Sequence, residues 1–101
     1  MSILFDWDDA NVTHIKQHGV TPKEAEEAVI RSPIDLQYEI RNGELRVVQI
    51  GETLGGKLLM VVSTMRGDKT RIVTATPAKR KYRARYLQMK EQRNDRTEGP
   101  T

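Results

Sequence analysis

His14 and His18 stand four residues apart, a spacing that puts both imidazoles on one face of a helix. Histidine is the side chain whose proton moves near neutral pH, so the pair suits proton transfer. The same spacing serves metal ligation in helix motifs that place a Glu beside the first His. Here residue 15 is Ile and no third ligand is evident, so no metal is expected. His18 also precedes Gly19 directly, where a protonated imidazole steadies a helix C-terminus. Asp6, Asp8 and Asp9 crowd a helix start and read as caps rather than as an acid–base pair. The chain has no cysteine, which excludes disulfides, thiol catalysis and Cys-ligated zinc and suits a reducing cytoplasm. Asn42-Gly43 and Gly55-Gly56 lack the spacing and the Lys-Ser/Thr of a phosphate loop, so both read as turns.

The cations are the more informative set. Residues 1–56 carry five Lys/Arg against ten Asp/Glu, whereas residues 57–96 carry twelve against three. An acidic half joined to a basic half points to a polyanionic partner for the second; a solvated helix face is the alternative. Arg66 falls in a turn, Lys69 and Arg71 share one face of a strand, and Lys79, Arg80, Lys81, Arg83 and Arg85 crowd a last helix. Such groups hold phosphates and offset charge in a phosphoryl-transfer transition state. Tyr82 and Tyr86 suit base stacking, proton relay or core packing. With no acidic metal cluster, phosphodiester chemistry would have to be metal-independent, which RNA permits because its own 2′-OH attacks the phosphate.

The elements that must position these groups follow from pattern. Ile3-Leu4-Phe5 suits a short strand, and a first helix is expected from about Asp9 to Gln17 or His18, stopped by Gly19. Thr21-Pro22-Lys23-Glu24 has the cap, first-turn proline and returning Glu of a capping box, with Ala25, Ala28 and Val29 as the apolar stripe. Arg31-Ser32-Pro33 ends that helix. Leu36, Tyr38 and Ile40 alternate with polar residues, which predicts one buried face. Asn42-Gly43 is a hairpin turn, Leu45–Ile50 the return strand, Leu58–Val62 a central strand, and Lys69–Thr76 the last. Pro77 is expected to open a basic C-terminal helix to about Arg93, with Ala78, Tyr82, Tyr86 and Met89 on its packing stripe. The expectation is an α+β domain over residues 1–93: two N-terminal helices, an antiparallel four-stranded meander and the C-terminal basic helix, the helices layered on a curled sheet, with 94–101 a disordered tail. No apolar run approaches the roughly 20 residues of a membrane span, and no secretory signal pattern opens the chain, so a cytoplasmic protein is expected.

Phe5-Asp6-Trp7-Asp8 before one helix, His18-Gly19-Val20 before a second with Glu24-Ala25, and a meander ending Arg71-Ile72-Val73-Thr74-Ala75 together resemble the BrnT family. The resemblance covers about residues 3–86. It implies a RelE-like fold and a ribonuclease toxin of a type II toxin–antitoxin pair. No cofactor is implied. The expected partners are RNA and a cognate antitoxin, a small DNA-binding protein of ribbon-helix-helix type, with room for a homodimer within the complex. His18 matches the family's His-Gly-Val histidine, Arg71 the basic residue before the last strand's apolar run, and Arg66-Gly67 the preceding turn. Arg80, Arg83 and Tyr86 fall on the basic final helix. The resemblance together with the basic set thus gives His18, Arg71, Arg80, Arg83 and Tyr82 as the expected catalytic residues, and Arg66, Lys69, Lys79, Lys81 and Arg85 as the expected RNA-binding ones. The family usually continues Ala-Arg where this chain has Ala75-Thr76-Pro77, and places a Glu at the position of Tyr82. A catalytically degenerate module that binds RNA or an antitoxin without cleaving is therefore the alternative.

Overall fold

Local signals set the helices. Asp8 is extended and its carboxylate accepts from the Asn11 amide at 2.9 Å, which starts α1 (Asp9–Lys16). Gly19, at a φ of 76°, turns the chain out of it. Thr21 and Glu24 exchange the two reciprocal bonds of the capping box, each 3.1 Å, and Pro22 opens α2 (Pro22–Ile30). The computed structural model describes residues 3–31 and 33–97, so Ser32 of the expected helix stop and residues 98–101 of the expected tail lie outside the described residues. Among the described residues no helix is long and apolar enough to cross a membrane.

The strands are β1 (Leu4–Phe5), β2 (Ile34–Arg41), β3 (Glu44–Glu52), β4 (Leu58–Arg66) and β5 (Lys69–Pro77), ordered β1-β5-β4-β3-β2 in one sheet. Asn42 and Gly43, both at positive φ, make the tight turn between β2 and β3. β2 to β5 form the expected antiparallel meander. The short first strand forms too, but it lies parallel to β5, so the sheet is five-stranded and mixed rather than four-stranded and antiparallel. Two residues are too few for a periodic signal, and the pairing of Phe5 with Thr70 joins segments far apart in the chain.

The helices cover both faces instead of forming one layer. On one face Ile15, Val20, Ala25, Ala28 and Val29 of the N-terminal segment pack on Leu59, Val61, Ile72 and Ala75, with Phe5 and Trp7 at the margin. Trp7 also donates its indole N–H to Glu26 at 2.7 Å. On the other face α3 (Arg80–Thr97) lays Tyr82, Tyr86 and Met89 on Ile34, Leu36, Ile50 and Leu58. β4 supplies both cores from alternate residues, as its unbroken apolar run requires. Pro77 ends β5 rather than opening α3, because the Ala78 amide still bonds the Leu58 carbonyl at 2.9 Å and extends the pairing past it. α3 runs through residues 94–97, past the expected end at Arg93; the helix-breaking Gly99-Pro100 comes only later in the chain.

A further correction concerns β2. Its pairing slips between Asp35 and Gln37, which leaves Leu36 as a bulge on the α3 side and turns Tyr38 and Ile40 to the other. No helix reaches them there, so Tyr38 and Ile40 are 61% and 76% exposed instead of buried.

Gly51 fixes how closely α2 approaches the sheet, since a Cβ there would land inside the Ala28 carbonyl group. Gly51→Ala is expected to cost about 3 kcal/mol, because backbone rather than a mobile side chain must yield. That corresponds to roughly 12–24 °C in melting temperature for a domain of this size. Gly55→Ala, whose Cβ would meet nothing closer than Thr53 at 3.9 Å, should stay within about 0.5 kcal/mol of the parent. Thermal melts of the two variants check this.

Candidate functional site

Side chains directly opposite in an antiparallel pair share a face. Ile50 pairs with Met60 and packs beneath Tyr86, which marks the α3 side. Counting by twos from there, Arg46 lies opposite Thr64, Thr64 opposite Arg71, and Arg66 opposite Lys69, all on that same side. With Arg41, opposite Glu44, five strand cations and α3 therefore share one face of the sheet. Thr74 and Thr76, opposite Val62 and Met60, lie between them. From Thr64 to Leu58 the strand climbs roughly 20 Å, so the cations form an elongated track rather than one pocket. Its near end holds Arg66 and Lys69, both exposed. Its far end is the start of α3, where Lys79, Arg80, Lys81, Arg83 and Arg85 are exposed. Arg80, Arg83 and Leu87 follow one another along one helix face, and Arg83 lines a shallow groove with Glu52, Leu58 and Tyr86. Arg46 is partly occupied by Glu44, 3.2 Å away.

Arg71 is placed differently from the other cations. Its guanidinium contacts Asp8 at 2.8 Å and Asp6 at 3.8 Å, and its side chain is only 13% exposed. Two carboxylates on one Arg leave no net positive charge for a phosphate. Arg71 instead fastens the start of α1 to β5. Tyr82 is likewise committed: its ring belongs to the packing stripe, with the Lys81 ammonium 4.9 Å from the ring centre. Tyr86, fully inside, closes the same core.

The histidines meet at the free edge of β5. β1 pairs only as far as Thr70, and beyond it α1 takes over the edge: Asn11 Nδ2 donates to the Ile72 carbonyl at 3.0 Å. One turn on, His14 Nε2 lies 3.1 Å from Thr74 Oγ1. His18 is exposed, and its ring stands edge-on to His14, with centroids 5.3 Å apart. The family resemblance singled out His18 of the pair, yet His14 is the histidine that touches the basic side of the sheet. The four-residue spacing was the signal; the Thr74 partner, sixty residues away, was not visible in it. Among the described residues no group of three or more His, Cys, Asp or Glu gathers as metal ligands. The arrangement offers two imidazoles at the rim of a cationic track, which is a geometry for moving a proton beside a held phosphate.

The Asn11 amide, and secondarily Arg71, hold the Asp8 carboxyl below the usual aspartate value of 3.8. A depressed folded-state value means stability that is present above the unfolded value and lost as pH falls through the folded one. Denaturant unfolding should therefore show the parent losing stability on acidification below about pH 4, with Asp8→Asn losing less over the same interval. Equal losses in the two proteins would contradict this placement.

No curated protein matches the chain. Residues 7–81 match the family model described as "Ribonuclease toxin, BrnT, of type II toxin-antitoxin system", and the chain belongs to that BrnT toxin family.

Proposed function

We propose that this chain cleaves RNA without a metal, gripping the strand along the α3 side of the sheet. A single observation carries the reading: Arg66, Lys69, Arg80 and Arg83 open on the same side, with the His14–Thr74 pair at its rim. Lys79, Lys81 and Arg85 extend the positive field along α3. In the cleavage step the RNA 2′-oxygen bonds to the adjacent phosphorus and gives its proton to a histidine. The 5′-oxygen leaves and takes up a proton, giving a 2′,3′-cyclic phosphate and a 5′-hydroxyl. His14 is the better placed of the two for this transfer, with His18 relaying to solvent. The family's type II system implies a cognate antitoxin; a ribbon-helix-helix partner, a homodimer in the complex, a RelE-like fold and a cytoplasmic location belong to the same reading.

A second reading rests on Tyr82. The family places a Glu there, and this chain spends the position on packing. A module that binds RNA without cutting it would look the same on the basic side.

Purified chain with single-stranded RNA and a chelator separates the two. Under the first reading a cyclic-phosphate product appears, and His14→Ala lowers its rate by about 10²-fold or more. Arg80→Ala with Arg83→Ala weakens binding and lowers the slope of log affinity against log salt by about 1.4, because each phosphate no longer neutralised accounts for about 0.7. Arg71→Ala lowers the melting temperature instead. Salt-dependent binding without product establishes the second reading, and no affinity for RNA overturns both.

A further inference from the structure

Tyr38, Ile40, Leu45 and Met65 are large apolar side chains that the fold leaves mostly in water. The register gathers them: Tyr38 pairs with Val47, Ile40 with Leu45, and Met65 with Thr70. All lie on the side of the sheet covered by α1 and α2, beyond the reach of those helices. With Val29 and Val47, most of them line an open groove of about 690 Å³. Single exposed apolar residues are ordinary, but a contiguous set on a sheet face marks an interaction surface. Asp35 accepts from the Tyr38 hydroxyl at 2.5 Å and from Gln49 at 2.7 Å, which holds the Tyr38 ring in place at the groove wall.

Size and charge select the occupant. Four strands at about 4.8 Å spacing span roughly 14 Å, and a helix with its side chains is about 10 Å across. One further helix beside α2 would complete the layer. The groove is lined by one carboxylate that faces it, Asp35, and by no Lys or Arg; Glu44 turns its carboxylate to the other face, against Arg46. The strand cations Arg41, Arg46, Arg66, Lys69 and Arg71 all face the other way. A nucleic acid is therefore disfavoured here, and so is a second copy, which would bring the same carboxylate to a two-fold axis. We propose that this groove docks a basic amphipathic helix of the antitoxin: its apolar stripe lies on Tyr38, Ile40, Leu45 and Met65, and a Lys or Arg at its border faces Asp35. The proposal rests on the toxin–antitoxin reading for its partner, and does not depend on whether RNA is cleaved. It places the protein partner and the RNA on opposite faces of one sheet.

The test is titration calorimetry of the full chain with the antitoxin protein encoded beside it. Ile40→Lys combined with Met65→Lys should weaken binding by about 100-fold, since two central anchors are removed and two like charges are added. Arg80→Ala combined with Arg83→Ala should leave it unchanged. Both replaced apolar side chains are exposed, so the double variant should melt with the parent. Binding of the groove variant within threefold of the parent overturns the proposal, as does a parent chain that this antitoxin fails to bind. A dimer of the free chain that the groove variant breaks assigns the surface to a second copy and overturns it too. RNA cleavage measured on the same proteins is read separately: its absence counts against the catalytic reading and leaves the docking result standing.

Discussion

A strand sends successive side chains to opposite faces, and β3 and β4 keep that alternation unbroken from end to end. Everything else in the molecule is hung on this. The even positions of β3 put Arg46, Val48 and Ile50 on one side; the odd positions put Leu45, Val47 and Gly51 on the other. Gly51 then lets α2 settle against the backbone, while Ile50 takes Tyr86 of α3. A slip of one residue would bury cations and expose the core, so the register is held by both helical layers at once. The flanking strands β2 and β5 carry the irregularities, at Leu36 and Val73, where no second neighbour has to be matched in full.

β5 illustrates how an open edge is closed without another strand. β1 pairs with its first two residues only. After that Asn11 bonds the Ile72 carbonyl, His14 reaches Thr74, and Arg71 binds the two aspartates that lead into α1. A helix start, a strand edge and two imidazoles are thus one unit. Arg71 has the charge of a phosphate ligand and the surroundings of a fastener. Its value lies in holding α1, and therefore the histidines, against the rim of the basic face. Exposed ion pairs contribute little, and the Asp8 side of this one is half exposed; its part is to tie Arg71, itself largely covered, to the carboxylate that caps α1.

Much of this was legible in the residues. Thr21-Pro22-Lys23-Glu24 and Gly19 marked the helix ends, Asn42-Gly43 the hairpin, and Leu58–Val62 the central strand, because each signal is local. The stripe Ala78, Tyr82, Tyr86, Met89 was legible as packing, and packing is what it does. What could not be read was whatever depends on a partner far away in the chain. The bulge at Leu36 reverses the faces of Tyr38 and Ile40, and nothing in an alternating pattern announces a slipped pairing. Arg71 looked like any other basic residue until Asp8, sixty-three positions earlier, came beside it. His14 looked weaker than His18 for the same reason. Element type follows from neighbours in sequence, whereas the role of a charged side chain follows from neighbours in space.

On the proposed reading, the separation of faces lets so small a domain serve two kinds of partner. A polyanion and an apolar helix make opposite demands on a surface: one wants exposed cations and water, the other wants desolvation. Mixed on one face, each would weaken the other, because a Lys or Arg buried under a docked helix must lose its hydration. Alternation offers a cheap solution, since odd and even residues of the same strand can meet the two demands independently. Leu45 and Arg46 are adjacent in sequence and belong to different surfaces, as do Met65 and Arg66. On the proposed reading, an antitoxin held on the apolar face does not cover the cationic track by its docking helix alone. Silencing RNA binding then requires either a second segment of the antitoxin that crosses the edge at β5 or β2, or a shift of α1 transmitted through Asp8 and Arg71. The β5 route passes over His14 and His18, the only imidazoles in the chain, so a segment taking it would block proton transfer before it displaced a single phosphate from the track.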